Sequence, residues 1–208
     1  MKRQLTLSLL VLSLAGATLA AQSTEGWKVR ADRSMNAADP DAAGDIQFMA
    51  MGNGFHCVNP TAAVFWHPDN TATGTYTLKG TFTLMEPSNH TNYYGLVFGG
   101  SDLEGADQSY TYFMVAQNGA WLLKRRAGND STENITEPTQ SDAVKTPDAG
   151  GTSVNDIEVR VKASDIDYVV NGTVVHTTPR AGVTTDGLYG FRVNHRLNVT
   201  VEGFGVTP

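Results

Sequence analysis

The chain has 208 residues, of which 40% are hydrophobic and 17% charged, and its formal net charge at pH 7 is −6. An acidic chain gains nothing from counterion release on nucleic acid and is repelled by anionic membrane surfaces, so both partner classes are excluded. With one cysteine, Cys57, no internal disulfide can form.

In chain order, residues 1–21 read as a cleaved secretory signal. Lys2 and Arg3 are basic, Leu5 to Leu14 is an apolar run too short to span a bilayer, and small residues follow at Ala15-Gly16-Ala17 and Thr18-Leu19-Ala20. No cysteine follows the run, so there is no lipobox, and no other stretch reaches transmembrane length. The expected location is secreted or periplasmic, without membrane insertion. Residues 22–208 are then expected to form a single domain whose charge, with Lys2 and Arg3 gone, moves from −6 to −8.

Helical signals are nearly absent; the best is a short turn at Ser34–Ala38, before Pro40. Strands are expected at Ile46–Met51, Phe55–Val58 and Ala62–His67, with Cys57 a small buried thiol. Tyr76, Leu78, Phe82 and Leu84 share one parity, the mark of a strand with one face buried. Tyr93–Phe98 is apolar on both parities apart from Gly95 and reads as a central strand. Tyr110–Gln117 and Ala120–Arg126 pair through Asn118-Gly119, a dipeptide that favours tight hairpins. Residues 128–154 are polar, aperiodic and rich in Thr, Asp, Pro and Gly, and are expected to form a long loop. Beyond it, Ile157, Val159 and Val161 alternate with charged residues. Ile166–Val170 and Thr173–Thr177 flank Asn171-Gly172, and two more alternating runs end in Val193 and Val201. About eleven or twelve strands with short turns and no crossover helices predict an all-β fold of antiparallel sheets stacked as a sandwich.

Little in the sequence carries catalysis. Asp102-Leu103-Glu104-Gly105-Ala106-Asp107 has the composition of a glycosidase carboxylate motif. Glycines before and within it mark a turn, however, and a turn does not hold alternate residues on one face. If that turn has a function, it is calcium coordination through Asp102, Glu104 and Asp107; no other cofactor is expected. The five histidines are scattered through strand ends and turns. The aromatic residues Trp66, Tyr93 and Trp121 are more informative, with polar neighbours His67, Asn92, Arg125, Arg192 and Asn194. A sugar offers a flat C–H face edged by hydroxyls, and recognition pairs an aromatic plate with hydrogen-bonding side chains. Trp66 and Trp121 also fit as core fillers. Arg192 and Asn194 have the parity opposite to Tyr189, Phe191 and Val193 and should face away from the core; of Arg125 and Arg126, one must do the same.

The order of these segments resembles the concanavalin A-like lectin/glucanase superfamily, and within it the family-16-like 3-keto-disaccharide hydrolase and laminin-G-like bacterial domains. The resemblance is carried by Gly54-Phe55-His56 running into Ala63-Val64-Phe65-Trp66, by Tyr76–Leu84, by Tyr94–Gly100, and by Tyr110–Val115 leading through Asn118-Gly119 to Leu123-Lys124-Arg125. Val159-Arg160-Val161, Tyr168–Gly172, Gly187-Leu188-Tyr189-Gly190 and Val199–Val206 continue it. It implies a two-sheet jelly-roll sandwich whose concave face commonly handles glycans. The leading expectation is a non-catalytic domain that binds a glycan or oligosaccharide. The alternative is a glycoside or 3-keto-disaccharide hydrolase, and the third is a structural or protein-interaction domain. Oligomeric state is left open. Arg192→Ala is expected to weaken glycan binding with little change in melting temperature.

Overall fold

The computed structural model describes residues 22–34 and 37–208. The signal segment 1–21 and part of the Ser34–Ala38 turn lie outside the described residues. The first strands are β1 (Lys28–Ala31), β2 (Gln47–Met51), β3 (Gly54–Asn59), β4 (Ala63–Ala72) and β5 (Tyr76–Glu86). Next come β6 (Tyr93–Ser101), β7 (Ser109–Ala116), β8 (Ala120–Ala127), β9 (Ser131–Gln140) and β10 (Ser153–Val161). The chain ends with β11 (Asp165–Val170), β12 (Thr173–Pro179), β13 (Gly187–Val193) and β14 (Leu197–Thr207). They form two seven-stranded antiparallel sheets, ordered β1-β4-β13-β6-β7-β8-β9 (sheet I) and β12-β11-β10-β5-β14-β3-β2 (sheet II). This is the expected jelly-roll sandwich, and no helix of the described residues is long and apolar enough to cross a membrane.

The alternation in the sequence decides which side chains lie between the sheets. Phe65, Leu96, Phe98, Phe113, Leu123 and Phe191 project from sheet I, and Phe55, Leu78, Phe82, Val159, Tyr168 and Val199 meet them from sheet II. Rings pack closely: Phe65 and Phe191 stack with centroids 5.0 Å apart. Cys57 is a free, buried thiol, and desolvation pushes its ionisation far above the usual range, so it is chemically quiet.

Two strands exceed the expected count. β1 is too short to show periodicity, and β9 lies inside the 128–154 stretch expected to be a loop. All of β9 is exposed except the half-buried Thr136, so no apolar alternation marks it; backbone pairing to β8 defines it. Its Glu133, Glu137 and Pro138 suit an edge strand that must resist pairing with another chain. The rest of the stretch is pinned by two amides, the buried Asn155 and the half-buried Asn171. Asn155 accepts from Lys145 N–H at 2.8 Å and donates to Lys145 C=O at 3.0 Å, while Asn171 donates to Ala143 C=O at 2.7 Å.

The hairpins differ in their turns. Asn171 and Gly172 both take positive φ, 49° and 79°, as a two-residue type I′ turn requires. At the β7–β8 turn, Gly119 alone takes positive φ (86°), and its N–H donates to Ala116 C=O at 3.1 Å. That hairpin uses the longer form, a turn closed by a left-handed glycine, rather than the tight one expected. Gly172 has open space around it, so only the backbone opposes a side chain there. Gly172→Val is expected to cost about 1–3 kcal/mol, seen as a lower melting temperature with an unchanged circular dichroism spectrum.

Candidate functional site

The outer face of sheet I, away from the inter-sheet core, carries a second apolar cluster of Val64, Trp66, Val97, Tyr110, Tyr112, Met114 and Leu122. Two connections lie over part of it. The turn after β6 places Leu103 in this cluster, held there by Arg30, whose Nη1 donates to Leu103 C=O at 2.9 Å and Gly105 C=O at 2.7 Å. The segment after β1 contributes Asp32, which receives Arg192 Nη2 at 2.7 Å on one oxygen and Arg126 Nη2 at 3.0 Å on the other. Arg192 also donates to Tyr110 Oη at 3.1 Å and Asn194 Oδ1 at 3.2 Å, and its guanidinium lies 5.6 Å from the centre of the Tyr112 ring.

Beside this clasp is a pocket of about 370 Å³, lined by Tyr93, Tyr112, Lys124, Arg192, Asn194 and His195 among others. Its floor is the outer face of β6, β7, β8 and β13, so alternate residues of neighbouring strands converge there. Tyr93 is half-buried and presents ring surface to the pocket. Tyr112 is deeper, and burial pushes its phenol up to about 12, opposed in part by the nearby Arg192 charge. A larger hollow of about 520 Å³, beside Pro60, Pro87 and Arg196, has no aromatic residue in its lining.

Four of the residues singled out from the sequence are therefore neighbours: Asn92, Tyr93, Arg192 and Asn194 all line the pocket. The others lie elsewhere. Trp66 is on the outer face but only 3% exposed, beneath the Leu103 turn. Trp121 points the other way, into the core, 4% exposed and packed against Phe113 and His176. Arg125 shares Trp121's side of β8, and it is Arg126 that reaches the outer face. His67 sits against Trp27 near Asp69, on the core side of β4. In the 102–107 turn, Glu104 pairs with Lys28 at 3.2 Å, and Asp102 Oδ2 accepts from Asp107 N–H at 3.1 Å. The three acids do not gather their oxygens into one ligand set.

A separate cluster stands at the pocket's rim, where Asp39, His90 and His195 bring one ligand atom each within 4.8 Å of the others. They come from three connections at one end of the sandwich: the segment before β2, the β5–β6 loop and the β13–β14 turn. Asn92, 3% exposed, braces the cluster by donating to His195 C=O at 2.9 Å. Asp39 and the pair of histidines escape sequence reasoning because each sits in a turn. His90 and His195 flank strand ends, and Asp39 lies midway between β1 and β2, so no local pattern links the three.

No protein-family model matches the chain, and no curated protein matches it in sequence. Solved structures do match its fold. Carbohydrate-binding module CBM66 from Bacillus subtilis superposes with a TM-score of 0.61 at 12% identity, over 88% of this chain and 96% of that one. The GH16 structure from the Bacteroides ovatus mixed linkage glucan PUL, in complex with a G4G4G3G product, gives 0.59 at 7% identity, covering 91% and 97%. Endo-beta-1,3-glucanase from Pyrococcus furiosus gives 0.59 at 9% identity, with 88% of each chain covered. The fold is thus a two-sheet jelly roll shared with these structures, and at these identities the likeness extends to the fold alone.

Proposed function

We propose that the protein is an extracytoplasmic glycan-binding domain that takes an oligosaccharide in the pocket on the outer face of sheet I, without cleaving it. One observation carries this reading: the half-buried Tyr93 ring shares a pocket with the hydrogen-bonding side chains of Lys124, Arg192 and Asn194. The ring offers an apolar plate for a sugar C–H face, and the cationic and amide groups match hydroxyls at its edge. The leader-like residues 1–21 support the location. Sharing a fold with a carbohydrate-binding module is consistent with the reading, by analogy.

A second reading, a glycosidic-bond hydrolase, is favoured by Asp39 and His195 at the same pocket's rim, 3.1 Å apart. A histidine–carboxylate pair can serve as an acid–base device. The test is a glycan-array screen of the protein with and without calcium, followed by assay of the same wells for released sugar. Binding without release supports the proposal, and calcium dependence would bring the Asp102–Asp107 turn back as a site. Sugar release selects the hydrolase; silence in both assays selects a structural or protein-interaction role. On a glycan hit, Tyr93→Ala is expected to weaken binding about tenfold or more, about 1.4 kcal/mol, at nearly constant melting temperature. Undiminished binding by that variant would move the sugar site off this face.

A further inference from the structure

Asp39 Oδ1, His90 Nε2 and His195 Nε2 form a nearly equilateral triangle. The edges are 2.9 Å from His90 to Asp39, 3.1 Å from His195 to Asp39, and 3.0 Å between the two ring nitrogens. The surroundings determine where the imidazole protons sit. His90 Nδ1 lies 2.9 Å from Asn89 Oδ1, and an amide oxygen only accepts, so that nitrogen carries the proton. His195 Nδ1 faces Asp41 Oδ1 at 3.8 Å, a carboxylate oxygen that is buried and has no hydrogen-bond partner among the described residues. With the proton on Nδ1 in each ring, both rings turn an Nε2 lone pair inward. Asn92 Nδ2, 3.1 Å from His90 Nε2, is a donor placed against that same lone pair.

Three such atoms held about 3 Å apart require a positive centre among them, either a shared imidazole proton in a hydrogen bond or a metal cation. For a metal, the spacing indicates which kind. With metal–ligand bonds of about 2.0–2.1 Å, ligands at right angles are about 2.9–3.0 Å apart, while tetrahedral ligands are about 3.3–3.4 Å apart. The triangle fits three mutually cis positions on one face of an ion, leaving the opposite positions open. Two imidazoles and one carboxylate suit Zn²⁺, Co²⁺ and their neighbours and do not suit Ca²⁺ or Mg²⁺, which prefer all-oxygen sets. Asn89 stands where the outer partner of a metal-bound histidine stands, orienting the His90 ring through its far nitrogen, and the unpartnered Asp41 Oδ1 lies 3.8 Å from the far nitrogen of His195.

We propose that Asp39, His90 and His195 form a binding site for one divalent transition-metal ion, at the rim of the outer-face pocket. The site does not depend on the glycan reading, and its test contains no sugar. Tag-free, chelator-treated protein is titrated calorimetrically at about pH 7.5 with zinc chloride, cobalt chloride and calcium chloride. One Zn²⁺ or Co²⁺ per chain is expected, with no heat from Ca²⁺. His90→Ala and Asp39→Asn should each lower zinc affinity at least ~100-fold, and Asp41→Asn about 10-fold. His56→Gln, whose ring instead meets Asn198, should leave the affinity unchanged. Histidine-ring ¹⁵N spectra of the unaltered protein, with and without zinc, give a readout that needs no variant to fold; the Nε2 signals of two rings should move together. Absence of stoichiometric zinc or cobalt binding, or binding that survives both His90→Ala and Asp39→Asn, would overturn the proposal, as would spectra in which no pair of histidines responds.

Discussion

Arg192→Ala is expected to lower the melting temperature by about 6–12 °C, corresponding to a loss of about 3 kcal/mol. From sequence alone the same change should be nearly silent, since Arg192 faces away from the core. The residue does face away, but its surroundings bury it to 9% exposure, and its guanidinium holds Asp32, Tyr110 and Asn194 and covers Tyr112. Removing it takes the donor from the buried Tyr110 and the half-buried Asp32 and Asn194, and opens a void over an aromatic ring. Asp32→Ala should cost at least as much, because it leaves the Arg126 and Arg192 guanidiniums facing each other with no shared anion. Thermal melts of both single variants and the double variant test the arrangement. If the double mutant is about as unstable as either single one, the groups act as a unit; simple additivity would mean that the clasp contributes little.

Gly95→Val should have the larger effect, leaving little or no folded soluble protein. Gly95 lies mid-strand in β6, between β13 and β7. A Cβ there would lie 2.3 Å from Phe113 C=O oxygen and 2.8 Å from Met114 Cα, both backbone atoms of the next strand. No rotamer change relieves contact with backbone, so β6 and β7 would have to separate in the middle of sheet I, at a cost on the order of 4 kcal/mol or more. Gly52→Ala, where nothing lies within 4 Å, is the matched control, and should cost about 1 kcal/mol. A Gly95→Val protein with normal expression and melting would show that the two strands are not so close.

Where one sheet face is buried, the sequence states the structure directly: the parity of Tyr76–Leu84, Ile157–Val161 and Tyr189–Val193 places their side chains correctly. Parity shows its limits at β8. It separates Trp121 from Lys124 but does not say which of them meets the core; the registry with β7 decides that. β9 is illegible because pairing alone, without burial, defines it. For Arg192 the direction is readable and the burial is not, since its cover comes from Asp32, far away in the chain. The metal-like triangle is the extreme case: two of its members, His90 and His195, are 105 residues apart, and no local pattern encodes their meeting.

The strands that follow all the others in sequence order, β13 and β14, occupy inner positions: β13 lies between β4 and β6 in sheet I, and β14 between β5 and β3 in sheet II. Until residues 187–207 are available, each sheet is split into two pieces with an open slot between them. Neither layer can close before these residues join it, so folding is governed by distant contacts that form slowly. The pocket, floored by β13 and braced by the turn that follows it, comes into being only with that insertion, and no intermediate lacking β13 carries a partial version of it.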